Sequence, residues 1–397
     1  MISLSPTPIH LALAKSILYS QNHFSLKIKI LIVSFGKCLL KLTRRAWLYL
    51  ALLALGALFL PRPRAILRQL VFSPKGEEVA PKAPSPTLFG RAGENPVSIV
   101  RGNDPEAMVR RAVDLLGGIE RIDVRGRQVL VKPNVVASQP PPSTTSPAVV
   151  AAVVKMLLEA GARKVQVGDM SAFLTLPTRK NIEATGIRRA AEEAGAEVID
   201  FDDGPWVKVS PKKAQFAKSF FFARVALEAE RLVSVPVIKT HRSATYSISL
   251  KNTIGLVHPR NRPSLYGSPQ WEEIIAEVNL AAQPHLIIAD GTQSMIAGGP
   301  WSGEVAPTRL VMASGNLVAL DVAGLGLIKH FARWQKVGDT SVWAQRQIRH
   351  AVEVGLGESG PEAVRVVAEA MEGHDEDFEG LVATIRRAIT EGPPKKS

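Results

Sequence analysis

The most constraining feature of this chain is an alternation that begins at Val97. Short β-branched runs take turns with stretches of helical period, punctuated by Gly, Pro and Asp. Val97–Arg101, Gln128–Lys132, Lys164–Gly168, Glu197–Asp200, Arg231–Val237, His285–Ala289 and Arg309–Ala313 read as strands. Between them lie a helix opening at Asp104-Pro105, AVVAAVVKMLLEAG behind Ser146-Pro147, a helical stretch at 181–194, and helices at Trp271–Ala281 and Leu317–Ile328. Asp104 and Ser146 stand as N-caps before N1 prolines, and Gly161 closes the second helix. Strands separated by helices imply βαβ units, so the expected fold is α/β with a mostly parallel sheet. Pro236 lies inside one strand-like run and marks a strand end or bulge.

Charge then divides the chain. The 397 residues carry 49 Lys+Arg against 36 Asp+Glu, a net +13, yet the first 75 residues hold 11 of the positives and no acid. The rest is nearly neutral, which excludes a phosphate-backbone binder, and no nucleic-acid partner is expected. The single cysteine, Cys38, excludes a disulfide framework, a Cys-liganded zinc module and a Cys-held iron–sulfur cluster within this chain.

Residues 1–73 read as a basic, apolar targeting or membrane-anchor region. Ala46–Leu60 is an apolar run of 15 residues. As a helix it spans roughly 22 Å, short of the ~30 Å hydrocarbon core unless Lys41, Arg44 and Arg45 snorkel. Thr43-Arg44-Arg45-Ala46-Trp47-Leu48 resembles a twin-arginine signal. No A-x-A site follows, which favours an uncleaved anchor; the alternative is export with removal of a signal segment. Six Lys/Arg just before the run, Lys27 to Arg45, against four after it place the N-terminus inside and the main domain outside the cytoplasm. Residues 74–96 read as a Pro-rich extended linker, 97–330 as the α/β domain, and 331–397 as a helical extension without chemistry.

In open α/β sheets, ligands bind beyond the carboxyl ends of the strands. Four expected strand ends run into polar clusters: Lys132-Pro133-Asn134, Gly168-Asp169-Met170-Ser171, Lys239-Thr240-His241-Arg242 and Asp290-Gly291-Thr292. Singly each has an ordinary use, as a solvated rim lysine or a turn-capping aspartate. Four together predict one shared rim. Lys251 and Asn252 follow a run of small hydroxyl residues, and the apolar Leu250, Ile254 and Leu256 predict a short buried helix that orients them. The stiff loop Gln139–Ser146 offers Thr145. The glycine-rich 297–303 loop lacks P-loop or GxGxxG spacing, but Gly298 and Gly299 could form an anion nest.

The candidate catalytic residues are therefore Lys239, His241, Lys251 and Asn252. The candidate ligand-binding residues are Lys132, Asn134, Thr145, Asp169, Asp290, Gly298 and Gly299. Lysines would neutralise a small carboxylate or phosphate substrate, His241 would act as acid or base, and Asp169 or Asp290 would orient it. A divalent-metal variant would use Asp169, His241 and Asp290, although their spacing does not demand a metal. The competing reading is a membrane-tethered module that binds an anion or a partner and catalyses nothing.

Taken in order, VLVKPNVV, TSPAVVAAVV, EAGARKVQVGD, VPVIKTHRSATYSISLKNTIGL, IIADGTQSMIAGGPWSG and ALDVAG resemble the "domain of unknown function 362" family from about Val97 to about Ile328. The Lys-Thr-His…Leu-Lys-Asn…Gly-Leu combination is the specific part. On that resemblance Lys132, Asn134, Asp169, Lys239, His241, Lys251, Asn252, Asp290, Gly298, Gly299 and Gly303 fall on motif positions. The resemblance implies no reaction. It includes relatives with a cysteine-rich ferredoxin-like segment, absent here, and relatives with twin-arginine signals, in keeping with Arg44-Arg45 as an export feature.

Overall fold

The computed structural model describes residues 76–82, 88–91, 93–202, 204–358 and 360–391. The expected anchor, its twin-arginine motif and part of the linker lie outside the described residues. Among those described, no helix is long and apolar enough to cross a membrane.

The strands are β1 (Glu78–Val79), β2 (Asn95–Arg101), β3 (Gln128–Pro133), β4 (Lys164–Asp169), β5 (Glu197–Asp200), β6 (Trp206–Val209), β7 (Phe220–Ala223), β8 (Arg231–Val235), β9 (Val237–His241), β10 (Thr245–Ser247), β11 (Leu286–Gly298), β12 (Gly303–Ala306), β13 (Leu310–Ser314) and β14 (Val364–Ala370). The main sheet runs β14-β2-β13-β11-β8-β3-β4-β5, with β9, β10 and β12 attached through β11. The β5-β4-β3-β8-β11 half is parallel, as expected. β13 is antiparallel to both its neighbours, so the sheet is mixed.

Alternation along each strand serves two apolar layers. Val129, Val131, Val165, Val167, Val233 and Val235 pack with the helix Pro147–Glu159 on one face. Leu130, Leu232 and Ile287 pack on the other with the helices Trp271–Glu277, Leu317–Phe331 and Glu376–Thr390. Lys132 and Ser234, side by side in register, share the second face. The helix Pro105–Asp114 starts where its cap signal lies, with the Asp104 carboxylate accepting from Glu106 N–H. Ser146 precedes its helix without a side-chain capping bond.

Four expectations need correction. The run Arg231–Val237 is two strands, β8 and β9, separated at Pro236, and β9 continues through Lys239 to His241. β11 extends to Gly298, so Asp290 lies inside a strand and not at its end. Part of the linker is docked: β1 pairs with β6, Lys82 donates to the Ala229 carbonyl, and Phe89 is fully buried. The C-terminal extension is not wholly helical, because β14 joins the main sheet beside β2.

Candidate functional site

The site grows from the break at Pro236, beyond the ends of β3, β4 and β8. Lys132, 2% exposed, sends its ammonium to Asp169 Oδ1 at 2.6 Å, Pro133 O at 2.9 Å and Asn252 Oδ1 at 3.2 Å. Asp169 Oδ2 accepts from Val135 N–H at 2.7 Å, which pins the chain leaving β3 to the end of β4. Asn252 donates to Lys132 O at 3.2 Å and Ser234 Oγ at 2.9 Å. Asn134 Nδ2 reaches Asn252 Oδ1 at 3.4 Å, and Asn134 Oδ1 accepts from Lys239 Nζ at 3.1 Å. One chain of an ion pair and hydrogen bonds thus joins Asp169, Lys132, Asn252, Asn134 and Lys239, residues up to 120 apart in sequence.

Loops complete the wall. Lys239 also donates to Ser143 O at 2.6 Å, and Thr145 Oγ1 accepts from Asn134 N–H while donating to Val235 O. Asp290 holds this loop from outside: its Oδ2 accepts from Ser146 N–H at 2.6 Å and its Oδ1 from Thr292 N–H and Oγ1. Ser143 Oγ donates to Trp301 O at 2.9 Å, tying the β11–β12 hairpin loop to the same segment.

The predicted short helix forms as Ser249–Asn252 and continues as a 3₁₀ turn Thr253–Leu256, with Leu250, Ile254 and Leu256 buried. Its N-terminus is fixed by Asp321, whose carboxylate accepts from Ser249 N–H at 2.7 Å, Ser249 Oγ and Leu250 N–H. Burial raises the Asp321 carboxyl to about 7, against the pull of those hydrogen bonds. Asn279 accepts from Thr253 Oγ1 and donates to Leu250 O. A Cβ on Gly255 would lie 2.1 Å from Asp169 Oδ1 and 2.6 Å from Lys132 Nζ, so no other residue permits this approach.

Electrostatically the site is lopsided. Lys132, Lys239 and Lys251 converge with Arg262, which is 2% exposed and spends its guanidinium on the Val257, Ser171 and Met170 carbonyls. Among the described residues, Asp169 is the one carboxylate ion-paired to any of these four cations. Burial first, then the charge of Lys251, holds the Lys239 ammonium well below the usual lysine range. Burial, then Arg262 and Lys132, lowers Lys251 to about 7. His241, 8% exposed, is held neutral by burial and by the charges of Lys251, Lys239 and Lys336. Its Nδ1 accepts from the Ser243 and Ala244 amides, which leaves the proton on Nε2.

Three expectations fail here. Neither Asp169 nor Asp290 orients His241, because both are committed elsewhere and backbone amides do that work. The variant metal set does not assemble: among the described residues no group of three or more His, Cys, Asp and Glu side chains could hold a metal ion. The Gly298-Gly299 amides do not form an open nest. Gly299 N–H donates to Ser302 O within the hairpin, and its Cα lies so close to β9 that a Cβ would meet Thr240 O at 2.0 Å.

A separate groove of about 580 Å³ opens at the β5 edge beside Arg179, Glu183 and Asp200. Its arginines pair with Asp200, Glu183 and Glu192, and it shares no residue with the lysine cluster.

The lysine-rich segments, from β3 to the helix Leu317–Phe331, coincide with residues 129–326, which match the family described as Domain of unknown function (DUF362). The chain carries a DUF362 domain. A thylakoid-associated protein of Synechocystis is 27% identical over 236 residues, covering 57% of this chain and 72% of that protein. Among solved structures, the lactate racemase apoprotein of Thermoanaerobacterium thermosaccharolyticum is similar with a TM-score of 0.37 and 13% identity, over 48% of this chain and 49% of that one. The chain therefore spans about half of the racemase's length. A Thermotoga maritima protein is similar with a TM-score of 0.35 and 13% identity, over 73% of this chain and 91% of that one.

Sequence reasoning missed Asp321, Gly255, Arg262, Ser143 and Ser234. Asp321 stands in ALDVAG and Gly255 in KNTIGL, and both strings were visible; their positions against Ser249 and the Lys132–Asp169 pair were not. Arg262 sits in HPRNRPSLY, which has the composition of a solvated turn.

Proposed function

We propose that the DUF362 domain is an enzyme that acts on a small anionic substrate, a carboxylate or phosphate ester, in the cluster built from Lys132, Lys239, Lys251 and His241. The observation that carries this reading is the excess of cation: three buried cationic side chains, Lys132, Lys239 and Arg262, and the partly buried Lys251 accompany one ion-paired carboxylate. Burying charge without a partner is expensive, and an anion entering such a site supplies the missing partner.

Roles follow from occupancy. Lys132 donates to Pro133 O and Asn252 and is ion-paired to Asp169, so it contributes field and frame. Lys239 retains one N–H after Asn134 and Ser143 and is the ligand-binding ammonium. His241 donates from Nε2 while neutral. Lys251, near 7, is the group whose proton is exchangeable at physiological pH. Asn252 positions the lysines and Asn134; Thr145 and Asp290 shape the loop wall.

The domain is proposed to work at a membrane, tethered through Ala46–Leu60 with its bulk outside the cytoplasm. The thylakoid association named for the Synechocystis relative is in keeping with a membrane setting. A non-catalytic anion-binding module shares the same cation excess but has no use for an amine poised near neutrality. Calorimetric titration of the full chain with inorganic phosphate and small carboxylates tests the reading. Saturable binding that is lost in Lys239→Met supports it, and no binding by either class of anion overturns it. Product formation in a screen of bound anions separates enzyme from module.

A further inference from the structure

The three lysines of the cluster are not equivalent. Lys132 meets three acceptors and Lys239 two. Lys251 Nζ meets no hydrogen-bond acceptor and no carboxylate among the described residues; it stands over the Trp271 ring, 5.9 Å from the centroid. Trp271 is buried, its indole N–H has no acceptor, and Tyr266 packs edge-on against it at 4.4 Å. The backbone beneath Lys251 is rigid, since Asp321 and Asn279 hold both ends of its helical turn. The amine is thus presented from a fixed support, against an aromatic wall, with Lys132 and Arg262 as cationic neighbours.

A lysine that is partly desolvated, lacks a counter-ion and sits beside other cations has the environment of an amine nucleophile. Lys239, with its spare N–H, supplies the contact that would hold a carboxylate next to it. We propose that Lys251 forms an imine with the carbonyl carbon of a small oxo-acid anion bound in this site. The inference rests on the anion-site reading and narrows its substrate class from anions in general to anions that carry an aldehyde or ketone.

The step balances without a further reagent. The neutral amine of Lys251 adds to the carbonyl carbon, forming the N–C bond. The carbonyl oxygen then leaves as water, taking both amine hydrogens, and protonation of the imine nitrogen gives the cationic iminium. The lowered basicity of Lys251 keeps a working fraction of neutral amine at neutral pH, which the ordinary lysines on the surface lack.

The test is reductive trapping on the full-length protein. Pyruvate or glyoxylate is added with sodium cyanoborohydride, and the adduct is located by peptide mass mapping. The expected result is one dominant adduct per chain, on Lys251, suppressed about tenfold in Lys251→Arg and by inorganic phosphate added as competitor. Its formation should rise with pH through about 7. Circular dichroism of Lys251→Arg shows whether that variant folds; phosphate protection of Lys251 in the wild type gives an independent readout if it does not. No adduct on Lys251, or labelling no faster there than on surface lysines, overturns the imine. If phosphate still binds saturably in that case, the anion site stands and only the imine falls. If neither binding nor labelling occurs, both readings fall.

Discussion

Two buried charged clusters in this molecule are built on opposite principles. Around Glu277, which is fully buried, every demand is met: its carboxylate accepts from the Gln215, Phe216 and Ala217 amides and from His350 Nε2 at 2.8 Å, while His350 Nδ1 faces Glu353 at 3.0 Å. Around Lys132, four cations share one ion-paired carboxylate, and one of the amines has no polar partner among the described residues. A charge buried for structure is closed off by donors at the moment of folding. In the proposed reading, a charge buried for chemistry is left incomplete, because an anion supplies the missing partner. The first cluster ties a loop to a helix; the second gathers like charges beyond the strand ends.

The largest expected effect tests the closed cluster. Glu277→Ala strands three amides and His350, and should destabilise the protein by about 3–5 kcal/mol in urea unfolding. A loss no larger than a surface substitution would break the contrast. Gly255→Ala should follow, at about 1–3 kcal/mol, because the new methyl forces the Lys132–Asp169 pair apart. Phosphate affinity should fall with it.

Lys239→Met is the sharpest probe of the open cluster. Removing an undercompensated buried cation should leave stability within about 1 kcal/mol or raise it, while phosphate binding weakens about tenfold or more. Strong destabilisation would mean that Lys239 is a structural group like Glu277.

A further contrast lies in the pH dependence of stability. Lys251 has a folded-state pKa of about 7, below that of an unfolded lysine, so between 7 and the ordinary lysine range the unfolded chain binds more protons. Stability should therefore rise with pH across that window, and Lys251→Met should flatten the rise. Asp321 gives the opposite sign in a different window. Its folded pKa of about 7 lies above that of an unfolded aspartate, so its contribution is greatest in acid and is lost as pH climbs towards 7. Denaturant midpoints measured across pH on Lys251→Met and Asp321→Asn separate the two.

Much of the parallel half was legible because its strands are short β-branched runs set between helices: Gln128–Pro133, Lys164–Asp169 and Glu197–Asp200 lie within a residue of expectation. The strands that were missed are short or lie at edges. β1, β6, β10 and β12 run for two to four residues, too few for a period of two to register. The helical stretch at 181–194 is two helices, Thr178–Ala184 and Ile187–Glu193. At the site, Lys132, Asn134, Asp169 and Lys239 were named from strand-end position and Asn252 from the expected short helix, and the fold links them directly. Asp290 was named for the same reason but acts one layer out, since β11 does not end where its apolar run does.

What the residues alone determined is the inventory and its segregation: a basic apolar N-terminus, a nearly neutral α/β body, and polar clusters at the ends of apolar runs. Those follow from local pattern, which composition and periodicity record. Tertiary structure alone decided which charges are compensated. Whether a lysine meets a carboxylate, a carbonyl or an indole ring depends on segments distant in sequence, and three lysines that look alike in sequence are an ion-paired one, one bonded to Asn134 and Ser143, and one over Trp271.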